Sequence, residues 1–155
     1  MGAIDRTEWR RGPWDAEPDI VEWTTAVGLP GLMLRQASGG NWCGYVMLPT
    51  DHPWHGVTCF GSMVGDQWVP SVVGADVHGG LTFAGPLRDR EGWWIGFDCS
   101  HAWDLQPGQE SQMRVMLPDV PHLWAPSGDQ VYRRQSYVHD EVEQLAACAA
   151  ARRAS

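Results

Sequence analysis

Apolar positions fall into short runs punctuated by glycine and proline along most of this chain, and settle into a helical period only near its end. Ile20-Val21-Glu22-Trp23-Thr24-Thr25 is rich in β-branched residues, and Gly31-Leu32-Met33-Leu34-Arg35 follows it across Gly28-Leu29-Pro30, a pattern that predicts a hairpin. The turn Ser38-Gly39-Gly40-Asn41 then leads into Trp42-Cys43-Gly44-Tyr45-Val46-Met47-Leu48, read as the third strand of an antiparallel meander. Pro49 ends it, because proline cannot donate to a ladder. Residues 49–70 are dense in Gly and Pro and carry His52, His55 and Cys59, so a loop is expected there, with room for one helical turn.

Val72 to Val77 runs into His78-Gly79-Gly80-Leu81-Thr82-Phe83, and the paired glycines imply a bulge or a close approach of backbone to something else. Trp93-Trp94-Ile95-Gly96-Phe97 is a short apolar run bounded by glycine, which reads as a buried strand. Gln109 to Leu117 fits a short helix, after which Pro118, Pro121 and Pro126 break the chain into loops. The clearest helix begins at Ser136, with apolar residues at Val138, Val142, Leu145 and Ala149, acidic residues early and Arg152 and Arg153 at the end. Its apolar stripe should cover one face of the sheet. The expected fold is α+β, an antiparallel sheet of about five or six strands packed by the C-terminal helix, in one domain over residues 19–155. Residues 1–18 lack a period and read as a surface arm that Trp9 and Trp14 pin down.

Composition narrows the chemistry. The 155 residues are enough to bury a core, and the formal charge of −8 comes from 19 acidic against 11 basic residues, all of them Arg. Without a basic stripe, a bulk grip on nucleic acid is disfavoured. The absence of Lys removes Schiff-base chemistry and the P-loop lysine. Four dispersed cysteines with no CxxC pair, no apolar leader and no membrane-length segment point to a cytoplasmic protein with reduced thiols.

Candidate chemistry gathers after the Trp93 strand. His78 with Asp98, His101 and Asp104 brings two imidazoles and two carboxylates to predicted strand ends, a donor set that could hold zinc or manganese with positions open for water. The DxxHxxD spacing places the last three on one side of a helical turn. The bland alternative is that Asp98 caps a helix starting at Cys99 while His101 and Asp104 serve a turn. Cys43 and Cys99 are candidate thiols, against which stands the habit of free cysteine to be a small buried hydrophobe. Gly79 and Gly80 could present backbone N–H groups to an anion, with Thr82 beside them. Ten tryptophans exceed what a small core needs, and aromatic faces such as Trp42, with Tyr45 nearby, suit a planar nucleotide-like ligand or a protein partner.

The strings NWCGYV (Asn41 to Val46), VHGGLTF (Val77 to Phe83) and WWIGFDCSHAWD (Trp93 to Asp104), with His52-Pro53, resemble those of small uncharacterised proteins encoded by bacteriophages and actinobacteria. The resemblance spans about Gly12 to the final helix, departs between Gly56 and Pro70, and carries over no catalytic residue. It implies a context, a soluble accessory protein in host defence or nucleotide metabolism. Two functions are then expected to compete. One is a metal-dependent hydrolase of a small phosphorylated or nucleotide-like substrate, with His78, Asp98, His101 and Asp104 as metal and catalytic groups and Trp42, Cys43, Tyr45, Gly79, Gly80, Thr82 and Cys99 around the ligand. The other is an accessory protein that sequesters a nucleotide-like signal, or blocks a host defence protein, without turnover.

Overall fold

The computed structural model describes residues 3–58, 62–64, 67–69, 75–126 and 128–153. Five strands form one antiparallel sheet: β1 (Ile20–Thr24), β2 (Pro30–Arg35), β3 (Trp42–Leu48), β6 (Phe83–Gly85) and β7 (Trp93–Asp98), in the order β1-β2-β3-β7-β6. The meander β1-β2-β3 follows from two tight turns, the first with Gly28 and the second with Gly40 at positive φ, where glycine costs nothing. A separate two-stranded hairpin, β4 (Ser62–Val64) with β5 (Gln67–Val69), occupies the stretch read from the sequence as loop. Two helices follow the sheet, α1 (Pro107–Met116) and α2 (Gln135–Arg153). The fold is α+β, as the periodicity predicted.

Residues 75–77 form no strand and the chain next joins the sheet at β6, while residues 72–74 and Cys59 lie outside the described residues. Strand alternation gives the sheet two apolar faces. Trp42, Val46 and Leu48 of β3, Met33 of β2 and Ile95 and Phe97 of β7 pack against Val138, Val142, Leu145, Ala146 and Ala149 of α2. Leu32, Cys43, Tyr45 and Trp94 form the opposite face with Phe83 and Leu87. Gly44 lets α2 approach closely, since a Cβ there would stand 2.6 Å from both Phe97 and Val142. His52 ties the β3–β4 connection to the same helix: Nε2 lies 2.8 Å from the Ala149 carbonyl and Nδ1 accepts from the Trp54 N–H.

The N-terminal arm is part of the domain. Trp14 is buried edge-on against Tyr132, and the Glu17 carboxylate accepts from Arg35 Nη2 (3.2 Å), Trp42 Nε1 (3.1 Å), Tyr132 Oη (2.6 Å) and the Gln135 N–H at the start of α2 (2.8 Å). Arg35, its side chain wholly buried, also reaches Asp19, lies over the Trp42 ring at 4.3 Å, and donates to the carbonyls of Pro18 and Gly40. No described helix is long and apolar enough to cross a membrane.

Candidate metal centre

Asp98 is the last residue of β7, and its Oδ1 accepts from the Ser100 N–H at 3.1 Å, an Asx turn that stops the strand. A second turn follows, closed by Asp104 N–H to the His101 carbonyl at 2.9 Å. Asp104 is then locked in place by a parallel bridge to Val131, with Val131 N–H on the Trp103 carbonyl and Leu105 N–H on the Val131 carbonyl, each at 2.9 Å. His78 arrives from a different turn. Val77 and Gly80 close it at 2.9 Å, and Gly79 holds φ +66, as the third position of a type II turn demands.

These three segments converge on one carboxylate. Asp104 Oδ2 lies 2.8 Å from His78 Nε2 and 2.9 Å from His101 Nδ1, and accepts the His101 N–H at 3.1 Å, while Oδ1 accepts from Arg133 Nε at 2.9 Å. The Asp104 side chain is fully buried and that of His78 only 5% exposed, whereas His101 opens to solvent at 21%. Burial alone would raise the Asp104 pKa, but hydrogen bonds from His78, Arg133 and His101 outweigh it and hold the group below the usual carboxylate value. Asp104 is therefore an anion that accepts four hydrogen bonds, three on Oδ2 and one on Oδ1. The ligand atoms of His78, His101 and Asp104 lie within 4.8 Å of one another, so this buried group could hold a metal ion.

Asp98 does not join them. As a strand residue it points with Cys43 and Tyr45 to the sheet face away from α2, while Cys99 beside it points into the α2 face. Its carboxylate is taken by Thr82 Oγ1 (2.7 Å) and by the Ser100 hydroxyl; burial raises its pKa, and those bonds bring it back below the ordinary value. The expected helical DxxHxxD turn is thus corrected: the segment is a strand end plus two turns, which splits its carboxylates between two faces.

The other expected ligand contacts are also redistributed. Trp42, Cys43, Tyr45 and Cys99 are buried in the two cores, not at an opening. Burial pushes the Cys43 thiol up to about 11, helped by the Asp98 charge, and raises Cys99 further, so neither supplies a thiolate nucleophile. Gly79 serves close approach, since a Cβ there would meet the His101 ring at 2.2 Å, and Gly80 N–H is spent on the turn.

Three residues absent from the sequence reading complete the centre. Arg133, just before α2, and Tyr137 and Glu141 on it are spaced four apart and all face the cluster. Tyr137 Oη lies 2.9 Å from His78 Nδ1, Glu141 accepts the His78 N–H at 2.6 Å, and Arg133 spans Asp104 and the Tyr137 ring. The signal was a polar stripe beside the apolar one at Val138, Val142 and Leu145. On the solvent side, an open depression of about 530 Å³ is lined by His78 and Tyr137 with Asp76, Asp140 and Glu141, and Trp103, half exposed, stacks its indole on the His101 ring at 4.8 Å. Compared with family models, with curated proteins and with solved structures, the chain matches none, so what this centre can do rests on its own geometry.

Proposed function

We propose that this protein is a small metal-dependent hydrolase in which His78, His101 and Asp104 hold one divalent ion, zinc or manganese, beside a phosphorylated or nucleotide-like substrate. The observation that carries the reading is the convergence within 4.8 Å of the His78 imidazole, from one turn, with the His101 imidazole and the buried, ionised Asp104 carboxylate, from another. Two His and one carboxylate is a donor set that leaves positions open for water and substrate. An ion held by these residues would supply a water acidic enough to act as the nucleophile near neutral pH.

The surrounding residues suit an anionic substrate only when a cation is present. Asp76, Asp140 and Glu141 line the depression and would repel a bare phosphate. Arg133 is the exception: its Nε is fixed on Asp104, its side chain is 22% exposed, and its terminal nitrogens make no hydrogen bond among the described residues, though the guanidinium lies over the Tyr137 ring. They are free to take phosphoryl oxygens next to the ion, in the planar geometry at which guanidinium groups excel. The outer indole face of Trp103, with His101 covering only the inner one, offers a platform for a base.

A second reading, retention of a nucleotide-like signal without turnover, is favoured by one observation: Asp104 is satisfied by four donors without any ion. Metal analysis of the purified protein and of folded His78→Ala, His101→Ala and Asp104→Asn variants separates the two, followed by a phosphoester screen of the metal-loaded parent. Stoichiometric zinc or manganese in the parent, lost in each variant, together with turnover supports the hydrolase. A folded parent that takes up neither ion sinks it, and a copurified nucleotide in that metal-free parent supports retention.

A further inference from the structure

Tyr137 has a place in this centre that depends on the proton positions of His78. A carboxylate can only accept, and Oδ2 of Asp104 lies 2.8 Å from Nε2 of His78 and 2.9 Å from Nδ1 of His101, so the geometry places a proton on each of these nitrogens. A neutral imidazole has one N–H, which leaves Nδ1 of His78 as an acceptor, 2.9 Å from Tyr137 Oη. With His78 as the neutral ring and no cation, the tyrosine hydroxyl donates to Nδ1, and two imidazole protons fill the space between the ligand atoms.

A cation bound at Nε2 of His78 needs the lone pair of that nitrogen. The neutral ring must then carry its proton on Nδ1, and that N–H needs an acceptor because His78 is buried. Among the described residues the one group within hydrogen-bond reach of Nδ1 is Tyr137 Oη, and a phenol can accept as well as donate by turning its O–H. The tyrosine is held for this. Its ring stands edge-on to the His78 ring, centroids 5.6 Å apart, and the Arg133 guanidinium covers its face at 5.1 Å. His101 has the simpler task, since its Nε2 has no partner among the described residues and its side chain is partly exposed, so water can serve it.

We propose that Tyr137 is a positioning residue for the metal centre, one whose hydroxyl reverses from donor to acceptor as His78 changes tautomer, so that the cation replaces the imidazole protons without leaving a buried N–H unpaired. The exchange balances: Nε2 gives its proton to water as Nδ1 takes one from water, the ring stays neutral, and both electron pairs remain on nitrogen. This inference rests on the metal reading above and adds to it the residue that makes the empty and filled states interconvertible.

The test is long-range proton–nitrogen NMR of the histidine side chains in the full chain, without metal and with zinc, beside calorimetric zinc titration of the parent and of Tyr137→Phe. The parent should show His78 protonated at Nε2 without zinc and at Nδ1 with it, and the variant should bind zinc about 10- to 100-fold more weakly. A zinc-bound parent that keeps its proton on Nε2 of His78 overturns the inference and removes His78 from the ion's ligands. Zinc bound equally well by parent and variant overturns the inference while leaving the metal reading intact. A parent that binds no zinc and no manganese overturns both. The tautomer measurement needs only the parent and stands even where the variant folds poorly.

Discussion

Asp98 and Asp104 are carboxylates on one short segment, yet only Asp104 collects the imidazoles, because one ends a strand and the other closes a turn and is pinned by Val131. Residue chemistry alone does not separate them, but the environment does. The same holds for the thiols. With Cys43 and Cys99 buried and their pKa values raised, iodoacetamide at pH 8 should leave both unmodified in the native protein and alkylate both after denaturation, which peptide mass spectrometry reads directly. Glu17 shows how much one side chain can carry. Burial pushes its pKa up, but the bonds from Gln135, Tyr132, Trp42 and Arg35 bring it below the ordinary value. A depressed folded pKa means that its stabilisation is complete above the unfolded value of about 4.3 and is lost as pH falls through the lower folded value. Glu17→Gln, which leaves the buried Arg35 with less countercharge, should cost about 3 kcal/mol at pH 7 and show a shallower loss of thermal stability between pH 5 and pH 3 than the parent, pH limits chosen as roughly bracketing that titration.

At the scale of elements, the centre is made by three turns and one helix face. Gly79 is the tightest joint, combining a positive φ with contact against His101. Gly79→Ala should cost about 1–2 kcal/mol from the left-handed backbone alone and should also displace the His101 ring. Zinc binding should therefore fall much more than thermal stability does. Equal retention of zinc affinity in that variant would mean that His101 is not held by this contact. Helix α2 serves two layers at once, its apolar stripe closing the sheet while Tyr137 and Glu141 hold His78. Gly44→Val tests the first layer: with Phe97 and Val142 already 2.6 Å from a would-be Cβ, overpacking should lower stability by about 1–3 kcal/mol, measured by urea unfolding.

For the whole molecule, the N-terminal arm meets the start of the last helix at Glu17, which caps the first N–H of α2 while pairing with Arg35 at the end of β2. Residues up to Pro18 are thus structural. A chain lacking them exposes Tyr132 and leaves the fully buried Arg35 without Glu17, so it should be recovered unfolded or with a melting temperature lowered by well over 10 °C, roughly what a loss above 3 kcal/mol implies for a domain of this size. A truncated chain that melts with the parent would show the arm to be dispensable. The centre sits where α2, the His78 turn and the β7 exit meet, so loss of the arm should weaken metal binding as well, through the start of α2.

What the sequence determined by itself is local. The glycine-bounded apolar runs give β1, β2, β3 and β7, and the four-three-four spacing from Val138 gives α2, because strand and helix periods are written in consecutive residues. The composition of the centre was legible too, in His78, His101 and Asp104. The tertiary structure decided the rest. Whether Asp98 belonged depended on which face of the sheet it met, and the roles of Arg133, Tyr137 and Glu141 depended on α2 crossing behind a turn more than fifty residues earlier in the chain. Such contacts leave no period in the sequence, since they are fixed by the packing of the elements and not by neighbours along the chain.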